Sequence, residues 1–434
     1  MAKRHEAVIV AAARTPIGAL NGSLASVSSH ELGSTVIKAL LGRSNVEADQ
    51  VSEVILGQVL SCGQGQNPAR QSAINAGLPH SVPAMGVNMV CGSGLKAVAL
   101  AAQAIETSED DDKLIFIAGG QESMSQSVHF VNLRNGIKFG DAPLKDSMVS
   151  DGLTDAFDKC HMGITAENVA KEFNISRSEQ DAFAAESQKK TKTAVEEDAF
   201  DREIVSVEVK SRKGSIVVSK DEHPKPETNE ESLARLRPVF TKDNGSVTAG
   251  NASGLNDGAA AVMVMSSVEA SRRGLQAMAK IVSWATTGVN PSIMGIGPVS
   301  AVRKAVDKAG WTLEEVDLFE LNEAFAAQSL AVVKELGVPA EKVNVCGGAI
   351  ALGHPIGASG RPFFCSRSPS KFRIKENIEI KPCIFFNIIW TTSITNCEMF
   401  YEVKKFGKLA RKKLRRADVT LKLFFQSYLS TARR

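Results

Sequence analysis

The stretch Val87-Asn88-Met89-Val90-Cys91-Gly92-Ser93-Gly94 decides how the rest of the chain is read. Residues 86–90 read as a buried strand, glycines punctuate the turn, and the Ala-rich residues 95–105 read as a helix. Cys91 therefore sits where a strand gives way to a helix. The run recurs as Val343-Asn344-Val345-Cys346-Gly347-Gly348. Each copy follows an apolar strand signal, residues 51–60 for the first and 316–321 for the second. Two short matches in the same order point to duplication of one α/β unit. Chance similarity between Val- and Gly-rich strand ends is the alternative, and the shared order favours duplication.

Working outward, residues 6–13 read as a buried strand. Ser28-x-x-Glu31 is a capping box opening a helix over 30–41. Residues 67–76 read as a short helix and 113–118 as a further strand. This alternation predicts an α/β layered fold with mixed, largely parallel sheets. The polar, loop-rich residues 121–250, with an amphipathic helix over 179–190, break the rhythm and read as an insertion. The strand pattern returns at 259–265. The expected organisation is a first half (1–120 with 251–275), a loop domain (121–250), a second half (276–360) and a tail (361–434). Duplication predicts a long helix and closing strands after Gly348. Instead Gly360 is followed by Arg361-Pro362-Phe363-Phe364 and by Pro369. Two prolines at that spacing break a regular helix. The second half is expected to be truncated, without its last helix and closing strands. Uncovered apolar surface would then lower stability.

The 434 residues suggest two or three domains. With 43% hydrophobic and 23% charged residues, the composition is that of a soluble globular protein. No stretch is long and apolar enough to span a membrane. Residues 1–6 lead straight into an apolar run too short for a signal peptide, and the end Thr431-Ala432-Arg433-Arg434 is no peroxisomal address. A cytoplasmic location without membrane partners is expected. The seven cysteines (62, 91, 160, 346, 365, 383 and 397) are scattered and lack a Cys-x-x-Cys pair. That pattern argues against a disulfide framework or a zinc site and for reduced thiols. From Arg361 onward, 17 Lys+Arg face 5 Asp+Glu, while the first 360 residues carry a net charge of −9. The break marks segments of different origin. The basic residues 404–416 and apolar residues 421–425 fit a nuclear-import, membrane-surface or nucleic-acid segment on one reading and a divergent end on the other. The abruptness of the change favours the second, with no nucleic-acid partner.

Three residues carry candidate chemistry. A lone cysteine is most often an inert buried thiol. Cys91, however, lies at a helix start, where backbone N–H groups favour a thiolate, among glycines that admit a thioester. His354, in the tight loop Gly353-His354-Pro355-Ile356-Gly357, is either a base for a cysteine or a satisfied loop histidine. Asn322, after the strand over 316–321, either orients a water toward an oxyanion or caps a helix.

The motifs Cys91-Gly-Ser-Gly94, His161-Met162-Gly163, Asn251-Ala-Ser-Gly-Leu-Asn-Asp-Gly258, Asn322-Glu-Ala-Phe325 and Gly347-Gly-Ala-Ile-Ala-Leu-Gly-His-Pro-Ile-Gly-Ala-Ser-Gly360 occur in one order. In this the chain closely resembles the thiolase family, and within it the acetyl-CoA acetyltransferases, over roughly residues 5–360. The resemblance implies two similar α/β halves and an inserted loop domain that binds CoA, in a homodimer or homotetramer. It implies Cys91 as acyl-accepting nucleophile, His354 as its base and Asn322 as holder of the oxyanion-hole water. It places Leu153, His161, Met162, Ser232, Phe240, Ala249, Ser253 and Phe325 along the CoA and acyl pocket, and Lys225 near the nucleotide end. The His161-Met162 pair resembles the short-chain biosynthetic type. The implied reaction is ping-pong: acetyl-CoA acylates Cys91, and a second acetyl-CoA is condensed to acetoacetyl-CoA, reversibly. The CoA thioester is the substrate, and no metal or redox cofactor is implied.

One departure stands out. The family's second catalytic cysteine lies in a C-terminal Cys-x-Gly-Gly segment, and none follows Gly360. Cys383 falls at a comparable distance after His354, but as Pro382-Cys383-Ile384-Phe385, without the glycines. Acyl transfer to Cys91 is therefore expected to survive better than condensation. The alternatives are a non-catalytic CoA-binding homologue, a 3-ketoacyl-CoA thiolase of broader chain length, or a decarboxylating ketoacyl synthase. The Asn322-Glu-Ala-Phe325 motif and the CoA-type insertion speak against the last.

Overall fold

Residues 7–14 show two apolar faces, and that alternation organises the core. In the computed structural model, which describes residues 5–108, 113–212, 214–359, 383–385 and 388–391, they form strand β1 (Ala7–Arg14). Val8, Ala11 and Ala13 join one apolar cluster, and Ala7, Ile9 and Ala12 the opposite one. This is the period of a pleated strand, with one register shift between Ile9 and Ala11. Helix α1 (Ser29–Ser44) opens on the expected capping box, with the Glu31 N–H donating to Ser28 and the Ser28 N–H donating to the Glu31 carboxylate at 2.9 Å. Its stripe of Leu32, Val36, Ile37 and Leu40 covers one face of the sheet.

Strand β2 (Glu53–Gly57), helix α2 (Pro68–Asn75), strand β3 (Ala84–Val87), helix α3 (Ser93–Thr107) and strand β4 (Ile115–Ser123) follow. Helix α2 joins α1 on the first face. Helix α3 covers the other through Leu95, Val98, Ala101, Ala102 and Ile105. The inserted region contains α4 (Met162–Glu172), α5 (Arg177–Glu196), the hairpin β5 (Val207–Ser211) and β6 (Gly214–Val218), and the short α6 (Glu230–Ala234). The sheet resumes with β7 (Asn256–Ser266). Strands β4 and β7 are buried at every position, as central strands covered on both faces must be.

The second half supplies β8 (Ala279–Trp284), α7 (Gly297–Ala309), β9 (Leu318–Glu320), α8 (Ala326–Leu336), β10 (Cys383–Phe385) and β11 (Ile388–Thr391). Phe319 is fully buried between its strands and helices.

The strand order exposes the duplication. The first half runs β1–β7–β4–β2–β3, with two antiparallel steps followed by two parallel ones. The second runs β8–β11–β10–β9, then Val343 bridged to Phe319, with the same sequence of directions. The halves join edge to edge where Val8 and Ile9 pair with Lys280 and Ala279, so one mixed sheet runs through both rather than one sheet per half. Strands β4 and β7 are separated by residues 124–255, whereas β10 and β11, their counterparts, are two residues apart. The loop region is thus inserted between two strands whose counterparts in the other copy are nearly adjacent in sequence.

This corrects one expectation. The closing strands anticipated as missing have counterparts in β10 and β11, which short apolar runs, the first directly after Pro382, concealed. The expected loss of a helix after Gly360, and the basic and apolar tail segments, fall outside the described residues. Among the described residues no helix is long and apolar enough to cross a membrane. Cys62, Cys91 and Cys160 are free thiols, as expected, whereas Cys346 is disulfide-bonded.

Candidate active site

The turn between β3 and α3 is locked from inside. Val90 has φ +46°, a rare conformation for a β-branched residue. Ser93 holds it: its Oγ accepts from the Met89 N–H at 2.8 Å and donates to the Val90 carbonyl at 2.6 Å. Cys91 is presented one residue later, half-buried beside Val59, Leu60, Met124 and Ile356. The neighbouring glycines serve a contact that sequence reasoning did not foresee. A Cβ on Gly94 would lie 2.8 Å from the Ser359 carbonyl, and one on Gly120 would lie 2.1 Å from that of Gly357. Their bareness lets the His354 loop of the second half seat against the start of α3 and against β4.

His354 is buried. Its backbone N–H donates to Asn256 Oδ1 at 2.9 Å, fixing the loop on β7. Its Nδ1 lies 2.5 Å from Ser359 Oγ, and the Ser359 hydroxyl donates to the Pro355 carbonyl at 3.0 Å. A hydroxyl that donates to the Pro355 carbonyl can accept from Nδ1–H, an arrangement compatible with the tautomer that keeps the lone pair on Nε2. That lone pair faces Cys91 Sγ at 3.3 Å and Asn322 Nδ2 at 3.4 Å. Asn322 does not cap a helix. Phe325 is the N-cap of α8, while the Asn322 carbonyl accepts from Gln328 Nε2 at 3.1 Å. The three expected chemical residues therefore meet, although two come from the second half and one from the first.

Electrostatics overturn the thiolate expectation. Burial pushes the Cys91 thiol up to about 11, its backbone hydrogen bond opposes this, and the nearby Glu122 adds to it. Desolvation outweighs the helix start, so the resting group is a thiol and a neutral base is required. Glu122 is itself pushed up to about 7 by burial, against the N–H groups of Val59, Leu60 and Gly357, which donate to it at 2.9, 3.2 and 2.9 Å. Glu122 and Ser359 were both missed from sequence. A carboxylate inside the otherwise Gly- and Ala-rich end of β4 was the available signal for the first. Ser359 lay inside the quoted motif without a cue to its partner.

The expected pocket residues divide into two groups. His161 caps α4, its Nδ1 accepting from the Gly163 N–H at 3.0 Å, and its ring stacks on Phe240 with centroids 4.7 Å apart. Burial lowers its pKa and favours the neutral imidazole. Met162, Phe240 and Phe325 pack in one apolar cluster with Val247 and Ala252. Leu153 is tied to it by accepting from the Met162 N–H at 2.8 Å, and Ser253 by donating its N–H to the Ala324 carbonyl at 2.9 Å. This cluster ends on Phe325, three residues after Asn322. Ser232, Ala249 and Lys225 are exposed and are not members of it. Ser232 is engaged in capping α6 with Asn229, and the Lys225 N–H donates to Gln188 Oε1 at 2.9 Å. Among the described residues no group of three or more His, Cys, Asp or Glu side chains could hold a metal ion.

Comparisons with known proteins agree with this architecture. Residues 7–268 match the thiolase N-terminal domain family and residues 275–367 the thiolase C-terminal domain family. The chain is 56% identical over 354 residues to the cytosolic acetyl-CoA acetyltransferase of Mus musculus, a match covering 81% of this chain and 88% of the relative. It is 58% identical over 358 residues to the acetyl-CoA acetyltransferase of Pseudomonas aeruginosa, covering 82% and 90%. The crystal structure of the Bacillus anthracis acetyl-CoA acetyltransferase superposes with a TM-score of 0.83 at 40% identity, covering 90% of this chain and 99% of that one.

Proposed function

The chain belongs to the thiolase family, and from that premise we propose that it is an acetyl-CoA acetyltransferase working through Cys91. It condenses two acetyl-CoA to acetoacetyl-CoA and CoA, and catalyses the reverse thiolysis. The observation that carries the reading is the bare Nε2 of His354, 3.3 Å from Cys91 Sγ.

The steps follow from that geometry. Cys91 gives its proton to His354 Nε2 as Sγ attacks the thioester carbonyl. The thioester C–S bond breaks, and the departing CoA sulfur takes the proton from Nε2. Acetyl-Cys91 and CoA result. Asn322 Nδ2–H, beside the same nitrogen, is placed to orient a water toward the carbonyl oxygen as negative charge develops there. A second acetyl-CoA then loses an α-proton to a base, its carbanion attacks the acetyl carbonyl as the acetyl–Sγ bond breaks, and that proton returns to the Cys91 sulfur. His161, Met162, Leu153, Phe240, Ser253 and Phe325 line a short acyl pocket. The exposed Ser232, Ala249 and Lys225 suit the solvent-facing part of CoA. No further cofactor enters the scheme.

The second half-reaction needs its own base. The Cys-x-Gly-Gly segment expected from the family has no counterpart after Gly360, so acylation should outpace condensation. The domain reading is a first half (1–120 with 251–275), a CoA-binding insertion (121–250), a second half that starts at 276 and includes β10 and β11, and a tail that starts after Thr392 rather than at 361. Assembly as a homodimer or homotetramer and a cytoplasmic location, in keeping with the cytosolic relative, complete the proposal. The test is to follow labelled acetyl-CoA. Release of CoA and formation of acetoacetyl-CoA, both lost in C91A, are expected. Release of neither by the wild-type chain would overturn the reading.

A further inference from the structure

We propose that Ser359 is the positioning residue that makes His354 a base toward Cys91, by holding its proton on Nδ1. The inference rests on the acetyl-transfer reading and deepens it. An imidazole can place its single proton on either nitrogen, and only one choice lets Nε2 accept from a thiol. Ser359 is buried, with its Oγ 2.5 Å from Nδ1. With the Pro355 carbonyl 3.0 Å away to take its own proton, it is placed to meet Nδ1 as an acceptor. The six residues 354–359 thus contain the base, the carbonyl that orients the hydroxyl and the hydroxyl that orients the base.

The placement of this hydroxyl is fixed from both halves. The Gly357 N–H donates to Glu122 at 2.9 Å, and the Ser359 carbonyl rests on the bare face of Gly94. The tautomer of a second-half histidine is therefore set by a loop anchored on first-half residues, next to the nucleophile it serves. Asn322 Nδ2–H, 3.4 Å from Nε2, reinforces the same choice, since an amide N–H has no use for a second N–H opposite it.

A wrong tautomer costs up to about 10⁴-fold where a carboxylate sets it. For a neutral hydroxyl we expect S359A to slow acetylation of Cys91 by about 10- to 100-fold, with KM for acetyl-CoA within about twofold. S359T, which keeps the hydroxyl, should recover most of the rate. The decisive readout is ¹⁵N NMR of histidine-labelled protein, with the His354 signals assigned by their loss in H354Q. Wild type and S359T should show Nδ1 protonated and Nε2 bare, and S359A a shift toward the other tautomer. An unchanged tautomer in S359A, or a mixed tautomer in the wild type, would overturn the proposal. This readout needs no turnover. A wild-type chain with the expected tautomer but no acetylation would sink the acetyl-transfer reading and leave the role of Ser359 in fixing the tautomer standing.

Discussion

The first and second halves share a strand order, and they differ in what the turn after the edge strand does. In the first half, Val87–Gly94 delivers Cys91 to the imidazole of His354. In the second, the matching turn at 343–348 is bolted into the structure. Asn344, at φ +45°, accepts from the Leu321 N–H at 2.8 Å and donates to the Leu321 carbonyl at 2.9 Å and to Glu323 at 2.7 Å. The Gly348 N–H donates to Ser187 Oγ at 3.0 Å, and Lys190 Nζ donates to the Val343 carbonyl at 2.9 Å. Cys346 lies buried in an apolar cluster with Ile17, Phe200 and Leu352. One copy presents a nucleophile, and the other holds the segment leading to Asn322. A duplicated scaffold thus gives an asymmetric site, because the loops of both copies meet at a single place.

The widest break in that comparison is between the two cysteines. C91A should abolish acetylation, while C346A, which breaks the Cys346 disulfide, should leave its rate within about fivefold and lower stability by about 2–5 kcal/mol, read by denaturant unfolding. H354A removes the base and should cost about 10²–10⁴-fold in the single-turnover rate. N322A should cost about 10²-fold, mostly in kcat rather than KM. N344A probes the bolted turn. It leaves a buried N–H and the Glu323 carboxylate without their partner and should destabilise by about 2–4 kcal/mol, slowing acylation only through Asn322.

The smallest effect concerns proton equilibria. With the Cys91 thiol held at about 11, a neutral alkylating reagent should label the free protein slowly at pH 8. The sign is fixed: burial raises the pKa, so thiolate grows as pH rises. The rate should climb about tenfold per pH unit toward about 10 without levelling. A plateau below pH 9 would show that the helix start wins after all.

Much of this was legible in sequence because it is local. The capping box Ser28-x-x-Glu31, the buried strand read over 6–13 and found at 7–14, and the strand-turn-helix around Cys91 depend on neighbours a few residues away. The order of motifs was enough to bring Cys91, His354 and Asn322 together. What escaped reading depends on distant partners. The function of Gly94 and Gly120 is a contact with residues more than 200 positions later. The thiol of Cys91 is governed by burial and by Glu122, which a helix-start argument cannot weigh. Strands β10 and β11 are too short for a period of two to register. Asn322 could not be separated from a helix cap until the start of α8 was known.

The central claim is that one cysteine of the duplicated pair, and only that one, takes the acetyl group. Brief incubation with acetyl-CoA, followed by intact mass and peptide mapping, measures this directly. We expect a single acetyl on Cys91, absent in C91A, slow to form in H354A and present in C346A. Acetyl found on Cys160 or Cys346, or a wild-type chain that stays unmodified, would contradict the account.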